Sequence, residues 1–202
     1  MRRGIYGGSF DPVHVGHVEL ARAALDRARL DRVDFVPAAL QPLKSTGPQA
    51  SDADRLAMLE LALADDPHLG VCDLEIRRGG YSYTVETLRQ LHDAHPDDEL
   101  YFLMGADSLH DLPKWREPAE ICRLALPVVV ARQGEPTPDL SLLAGLVTTE
   151  RLKAIRAAMI ATPVSHVSST DIRHRLATGQ EIRGLVDPRV EEYIKTHGLY
   201  GG

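Results

Sequence analysis

The chain has 202 residues, 44% of them hydrophobic and 26% charged, with a formal net charge of −6. That length builds one sizeable core rather than two full domains, and an acidic chain has no general attraction for nucleic acid or membrane surfaces. Cys72 and Cys122 stand far apart in apolar surroundings and read as reduced core residues. Met1-Arg2-Arg3 runs straight into the first strand, without room for a signal peptide. No apolar run approaches the roughly 20 residues of a membrane span, so a cytoplasmic protein is expected.

Arg3 to Tyr6 is a short extended run, and Val18, Ala21, Leu25 and Ala28 mark an amphipathic helix. Between them lies Gly7 to His17, GGSFDPVHVGH. A strand-to-helix turn aims backbone N–H groups and a helix N-terminus at one spot. Gly7 and Gly8 allow the backbone close to a bulky ligand, Ser9 adds a hydroxyl, and His14 and His17 add imidazole donors on one side. These parts suit a polyphosphate. A plain turn fits the same residues, as does a metal-binding pair, although zinc takes three or four protein ligands and no Cys-x-x-Cys stands nearby.

Asp31 to Pro37 is a second strand. Strand, helix, strand at this length is a βαβ unit of a parallel sheet, whose ligands bind outside the carboxyl ends of the strands. Ala38 to Ala50 is a loop in which Lys44 is one of few nearby cations, and Ser51 to Asp65 is a helix with Ser51 and Asp54 placed as a capping box and Leu56, Leu59 and Leu63 as its buried stripe. Arg55 falls in the first turn, a poor place for a cation, and so reads as paired or ligand-facing. Gly70 to Ile76 is a third strand. Arg77 to Leu88, RRGGYSYTVETL, is a glycine turn into a helix bearing Val85, Leu88 and Leu91.

Glu99 to Met104 is a fourth strand, expected beside the first at the switch point of a doubly wound sheet. Gly105, Asp107 and Ser108 follow at its carboxyl end, where Asp107 also suits a helix N-cap. The single tryptophan, Trp115, lies in LPKWREP among two prolines and three charges, which places its flat face on a loop suited to stacking on a ring. Leu126 to Ala131 is a fifth strand, Arg132 to Ser141 a loop, and Thr148 to Ile160 a helix. In Val164 to Gly179, Ser168 and Asp171 form a second capping box, Ile172 and Leu176 the buried face, and Gly179 the stop. Ser168, Ser169, Thr170 and Arg173 thus crowd one helix N-terminus, which is equally what a well-capped helix requires. Asp187-Pro188 opens the last helix, with Val190, Tyr193 and Ile194 inward.

GGSFDPVHVGH resembles the signature of the nucleotidyltransferase superfamily that carries an H-x-G-H motif, in the form of its bacterial nicotinate-nucleotide adenylyltransferases. The pantetheine-phosphate enzymes usually have threonine where this chain has His14. SSTDIR, with Val167 before it, resembles the second signature, I-S-S-T-x-I-R. RRGGYSYTVETL resembles R-x-G-x-S-Y-T-V-D-T-L, with Glu86 for aspartate. Pro42-Leu43-Lys44 stands where the family usually has Pro-His-Lys, so any role of that histidine has no counterpart here. The resemblance runs from Gly4 to Tyr200.

The resemblance implies a single α/β domain. A Rossmann-like, doubly wound parallel sheet of about five strands would occupy about 1–132, and a C-terminal helical part carrying SSTDIR about 163–202. It implies ATP contacts from Gly7, Gly8, Ser9, Phe10, His14, His17, Gly105, Asp107, Ser168, Ser169, Thr170 and Arg173. It implies mononucleotide contacts from Lys44, Tyr83, Thr84, Asp107, Ser108 and Trp115, with Trp115 against the nicotinate ring. His14, His17, Lys44 and Arg173 would handle charge during adenylyl transfer from ATP to nicotinate mononucleotide. Mg²⁺ would be held mainly through the ATP phosphates and not by a protein metal site. Self-association is left open. So are nicotinamide mononucleotide or another phosphorylated compound as acceptor, a nucleotide sensor without catalysis, and a metal-dependent hydrolase.

Overall fold

A computed structural model describes residues 1–43, 46–132, 136–162 and 167–201. The chain alternates strand and helix: β1 (Arg2–Gly8), α1 (Val15–Arg27), β2 (Arg32–Pro37), α2 (Asp52–Leu63), β3 (Leu69–Val71), α3 (Leu74–Arg78), α4 (Thr84–Ala94), β4 (Glu99–Gly105), α5 (Ala106–Asp111), α6 (Pro118–Leu124), β5 (Ala125–Arg132), α7 (Thr149–Ala157), β6 (Ile160–Thr162), α8 (Ser169–Ala177) and α9 (Pro188–Thr196). Among the described residues the strands form one sheet in the order β3-β2-β1-β4-β5-β6, and every pairing is parallel. This is the doubly wound order, which reverses direction between β1 and β4.

Side chains of one strand point alternately to opposite faces, and the core divides accordingly. Tyr101 and Leu103 of β4 join Val33 and Phe35 of β2 under α1, α2, α8 and α9. Leu100, Phe102 and Met104 join Ile5 of β1 under α4, α5, α6 and α7. Full burial of each such side chain stabilises the fold by roughly 1.5–3 kcal/mol. At the amino end of the sheet Arg3 bridges Asp34 and Asp98, each at 2.7 Å. The carboxyl ends of β1 and β4, Gly7-Gly8 and Gly105, lie at the opposite edge.

Two segments differ from the sequence reading. Of the expected strand Gly70 to Ile76 only Gly70 and Val71 pair with β2, in a strand that begins at Leu69, and the chain then turns into helix α3. Short apolar runs do not separate strand from helix by period alone. Here a side-chain network favours the helix: Arg77 pairs with Asp73 at 2.9 Å, and buried Glu75 accepts from the Thr87 hydroxyl at 2.6 Å. The helix expected to reach Ile160 stops at Ala157, and Ile160–Thr162 becomes a sixth strand against Val130–Arg132 of β5. Sheet pairing that buries Ile160 overrides local propensity.

Candidate functional site

The turn after β1 is built from the inside out. Phe10 has a left-handed backbone (φ 46) and a ring that is 1% exposed, edge-on to Tyr6 at 5.4 Å and 5.0 Å from the His17 ring. The Phe10 side chain therefore packs beneath the turn and is closed to a ligand. A Cβ on Gly8 would sit 2.9 Å from Phe10 Cζ, so Gly8 makes room for this ring, whereas Gly7 is exposed and open. His14 is the N-cap of α1 and His17 its third residue. The His14 backbone N–H donates to His17 Nδ1 at 3.2 Å. An accepting Nδ1 leaves the ring proton on Nε2, so His17 keeps one outward donor.

The two imidazoles stack at 3.6 Å with 25° between their planes. Burial pushes the His14 pKa down to about 4. The His17 ring, packed against Tyr6 and Phe10 although one edge stays accessible, is held well below 6.5 by burial and then by the neighbouring His14. Both rings are thus neutral donors at pH 7 in the nucleotide-free state. His14 Nδ1 is buried without a hydrogen-bond partner among the described residues. Among those residues no three His, Cys, Asp or Glu side chains converge as a metal set.

The second signature docks on this turn. Ser168 caps α8, its Oγ accepting from the Asp171 amide at 3.1 Å. Ser169 donates its hydroxyl to the Pro12 carbonyl at 2.9 Å, and Arg173 Nη1 donates to the Asp11 carbonyl at 2.7 Å. Arg173 Nη2 lies 3.4 Å from Thr170 Oγ1. Arg55 of α2 is fully buried and grips the Ser9 carbonyl at 2.8 Å while pairing with Asp52. The unfavourable first-turn arginine is therefore a paired residue that clamps the turn.

Across the switch point, Gly105 is the N-cap of α5, a place first considered for Asp107, which instead lies exposed in the first turn with half-buried Ser108 after it. A glycine at the cap leaves open space: a Cβ there would meet nothing within 4 Å. Trp115 is half-buried, edge-on to Phe102 of β4 at 6.0 Å. Tyr83 caps α4 and Thr84 opens it. The neighbouring Arg116 stands 4.8 Å over the Tyr83 ring and pairs with Glu86 at 2.7 Å. The loop after β2 is strapped to this segment, Ala39 N donating to Ser82 Oγ and Ser82 N to the Leu40 carbonyl. Lys44 lies outside the described residues. A groove of about 720 Å³ also reaches His14, between α1 and α9 and lined by Glu19, Arg22, Arg183 and Lys195, but includes none of Gly105, Tyr83 or Trp115.

Three residues of this arrangement had no functional reading in the sequence: Asp11, Tyr200 and Arg116. Asp11 sits inside the first signature. Tyr200 and Arg116 carry no local signal, because their partners are distant in sequence.

The profile of the cytidylyltransferase-like family matches residues 5–175. The chain is 44% identical over 197 residues to a protein of Rhodopirellula baltica named probable nicotinate-nucleotide adenylyltransferase, covering 98% of this chain and 92% of that one. It is 44% identical over 199 residues to a protein of the same name from Thermomicrobium roseum, covering 98% and 91%. Its fold is similar to that of the Plasmodium falciparum nicotinic acid mononucleotide adenylyltransferase complexed with NaAD, with a TM-score of 0.77, 20% identity and coverage of 99% and 97%.

Proposed function

The chain belongs to the cytidylyltransferase-like family, and from that premise we propose that it transfers the adenylyl group of ATP to nicotinate mononucleotide, giving deamido-NAD and pyrophosphate in NAD biosynthesis. The observation that carries this reading is the docking of the Ser168–Arg173 segment on the histidine-bearing turn, through a bond between residues 162 apart. It gathers the imidazoles and a guanidinium of an acidic chain at the carboxyl edge of the sheet, where nucleotides bind in this topology.

In the proposed reaction an oxygen of the mononucleotide phosphate attacks the α-phosphorus of ATP. That P–O bond forms as the bond from the α-phosphorus to the bridging oxygen breaks, and pyrophosphate leaves with the electron pair. No side-chain nucleophile and no obligatory proton transfer is needed, so the protein's task is alignment and stabilisation of shifting charge. The backbone of Gly7 to Phe10 and the Nε2 donor of His17 face the triphosphate, with His14 beside it. Arg173 and Lys44 neutralise charge that moves toward pyrophosphate. Gly105, Asp107, Ser108, Tyr83 and Thr84 take the sugars and mononucleotide phosphate, and Trp115 the pyridine ring. The ATP phosphates, rather than protein side chains, would hold Mg²⁺, which would supply further charge neutralisation for the leaving pyrophosphate.

Pyrophosphate release from ATP and Mg²⁺ by the purified protein, with nicotinate and nicotinamide mononucleotides compared side by side, tests the reading. Release strongly favouring the acid is expected. Release favouring the amide would keep the chemistry and overturn the acceptor, and release with neither would overturn both.

A further inference from the structure

The Asp11 carboxylate ties together segments that the chemistry above leaves unconnected. Its Oδ1 accepts from the Tyr200 hydroxyl at 2.7 Å and from the Ala50 amide at 3.1 Å, and its Oδ2 accepts from the Gln49 amide at 2.8 Å. Its own carbonyl receives Arg173 Nη1 at 2.7 Å, and the same nitrogen lies 3.9 Å from Oδ2. Asp11 is only 3% exposed. A buried carboxylate is costly unless hydrogen bonds satisfy its oxygens, and here three donors do so, with the Arg173 guanidinium beside them. Tyr200 reaches it from a left-handed backbone (φ 62) in the 3₁₀ turn after α9. Non-glycine residues hold that conformation only where their surroundings over-determine it. Burial, and then the bond to Asp11, raise the Tyr200 pKa, so the phenol remains a donor.

We propose that Asp11 and Tyr200 form a positioning clasp that sets Arg173 and the Gln49–Ala50 end of the loop after β2 against the histidine turn, without either residue touching a phosphate. This rests on the adenylyltransferase reading. With Nη1 committed to the Asp11 carbonyl, Arg173 presents its remaining donors in one fixed direction. The Gln49 and Ala50 amides anchor the loop that contains Lys44, one residue before the Ser51 cap of α2. From α2, Arg55 returns to the Ser9 carbonyl, two residues from Asp11, so the ring of contacts closes on the turn. The clasp members do not serve as ligands themselves: the Tyr200 hydroxyl proton is used on Asp11, and a carboxylate would repel a triphosphate. Asp11 instead converts its charge into the placement of cations and amides that bind one.

Tyr200→Phe, which removes one hydroxyl, tests the clasp. Tyr193→Phe is its control, because Tyr193 makes a similar bond to Asp54 at 2.9 Å away from the turn. With ATP and nicotinate mononucleotide, Tyr200→Phe is expected to lower kcat about tenfold, with the KM for the mononucleotide within about twofold, since misplaced charge-bearing groups cost rate more than binding. Tyr193→Phe should leave kcat unchanged. In an Arg173→Lys background the further effect of Tyr200→Phe should shrink below about twofold, as expected of coupled residues. Hydrogen exchange at the Gln49 and Ala50 amides should accelerate in Tyr200→Phe alone. Unchanged kcat in Tyr200→Phe, or a loss equal to that of Tyr193→Phe, would overturn the clasp as a positioning device. Unchanged amide exchange would overturn it whether or not the wild type turns over. A wild type that releases no pyrophosphate refutes the adenylyltransferase reading separately.

Discussion

Two imidazoles whose rings lie 3.6 Å apart would repel strongly if both were charged, and burial keeps both neutral in the absence of anions. A neutral ring with a committed Nδ1 still donates through Nε2. An arriving triphosphate adds opposite charge, which favours the protonated form of either ring. The nucleotide-free pair is therefore a set of preorganised neutral donors, and binding of a triphosphate in the proposed reaction would give it positive character. His17→Ala should lower kcat by about 10²- to 10³-fold, the scale of one lost transition-state donor. Thermal unfolding measured alongside should show the fold retained. A kcat near wild type would remove His17 from the chemistry.

At the scale of the element, the turn between β1 and α1 is held by what surrounds it. Phe10 fills the space above Gly8 and carries the positive φ that redirects the chain. α2 holds the Ser9 carbonyl, and α8 holds those of Asp11 and Pro12. Gly8→Ala places a methyl 2.9–3.2 Å from three carbons of a buried ring that cannot yield, so it should cost about 1–3 kcal/mol by urea unfolding, the usual range of overpacking. Gly105→Ala, at φ −78 with nothing within 4 Å, should leave stability unchanged and raise the KM for ATP by filling the crevice. The reverse ranking of stabilities would contradict this view of the turn. The caps of α2, α8 and α9 were legible because Ser51, Ser168 and Asp187 act on amides two or three residues away. Strand β6 and helix α3 were not, because their states depend on pairing with β5 and on the Glu75–Thr87 contact.

For the whole molecule, the buried histidines predict a pH dependence of stability. The folded pKa of His14 is about 4 against 6.5 for the free side chain, and that of His17 is also lowered. Between those values the unfolded chain binds protons that the folded chain refuses, so stability falls as pH drops from about 6.5 to about 4. Asp98 is held low by its bonds to Arg3 and the N-terminal amine against its own burial, and Asp187 mainly by its bond to Arg189. Glu117 and Glu120 are likewise held low by bonds to Arg89 and Arg123, and all four begin to lose their contribution as pH falls toward the ordinary carboxylate range, so the window from pH 6.5 to about 5 isolates the imidazoles. The melting temperature of the nucleotide-free protein should decline across that window, and His14→Ala should flatten the decline. A profile level from pH 6.5 to about 5 would contradict the buried, neutral pair.

By itself, the sequence determined the alternation of strand and helix, the parallel doubly wound class, the capped helix starts and the two signature stretches. The alternation, the parallel strand-helix-strand order and the capped starts are written in periodicity or in side chains that act on near neighbours, whereas the doubly wound class and the two signatures came through the resemblance to the nucleotidyltransferase superfamily. Only the tertiary structure decided that Gly8 serves Phe10, that Arg55 grips the turn, that the sheet takes β6 as an edge, and that Asp11 gathers Tyr200, Arg173 and the Gln49–Ala50 amides. The physical reason is the range of the interactions. A hydrogen bond between residues 189 apart, such as Tyr200 to Asp11, leaves no local pattern, because its geometry exists only once the C-terminal helices have packed on the face of the sheet that carries α1 and α2.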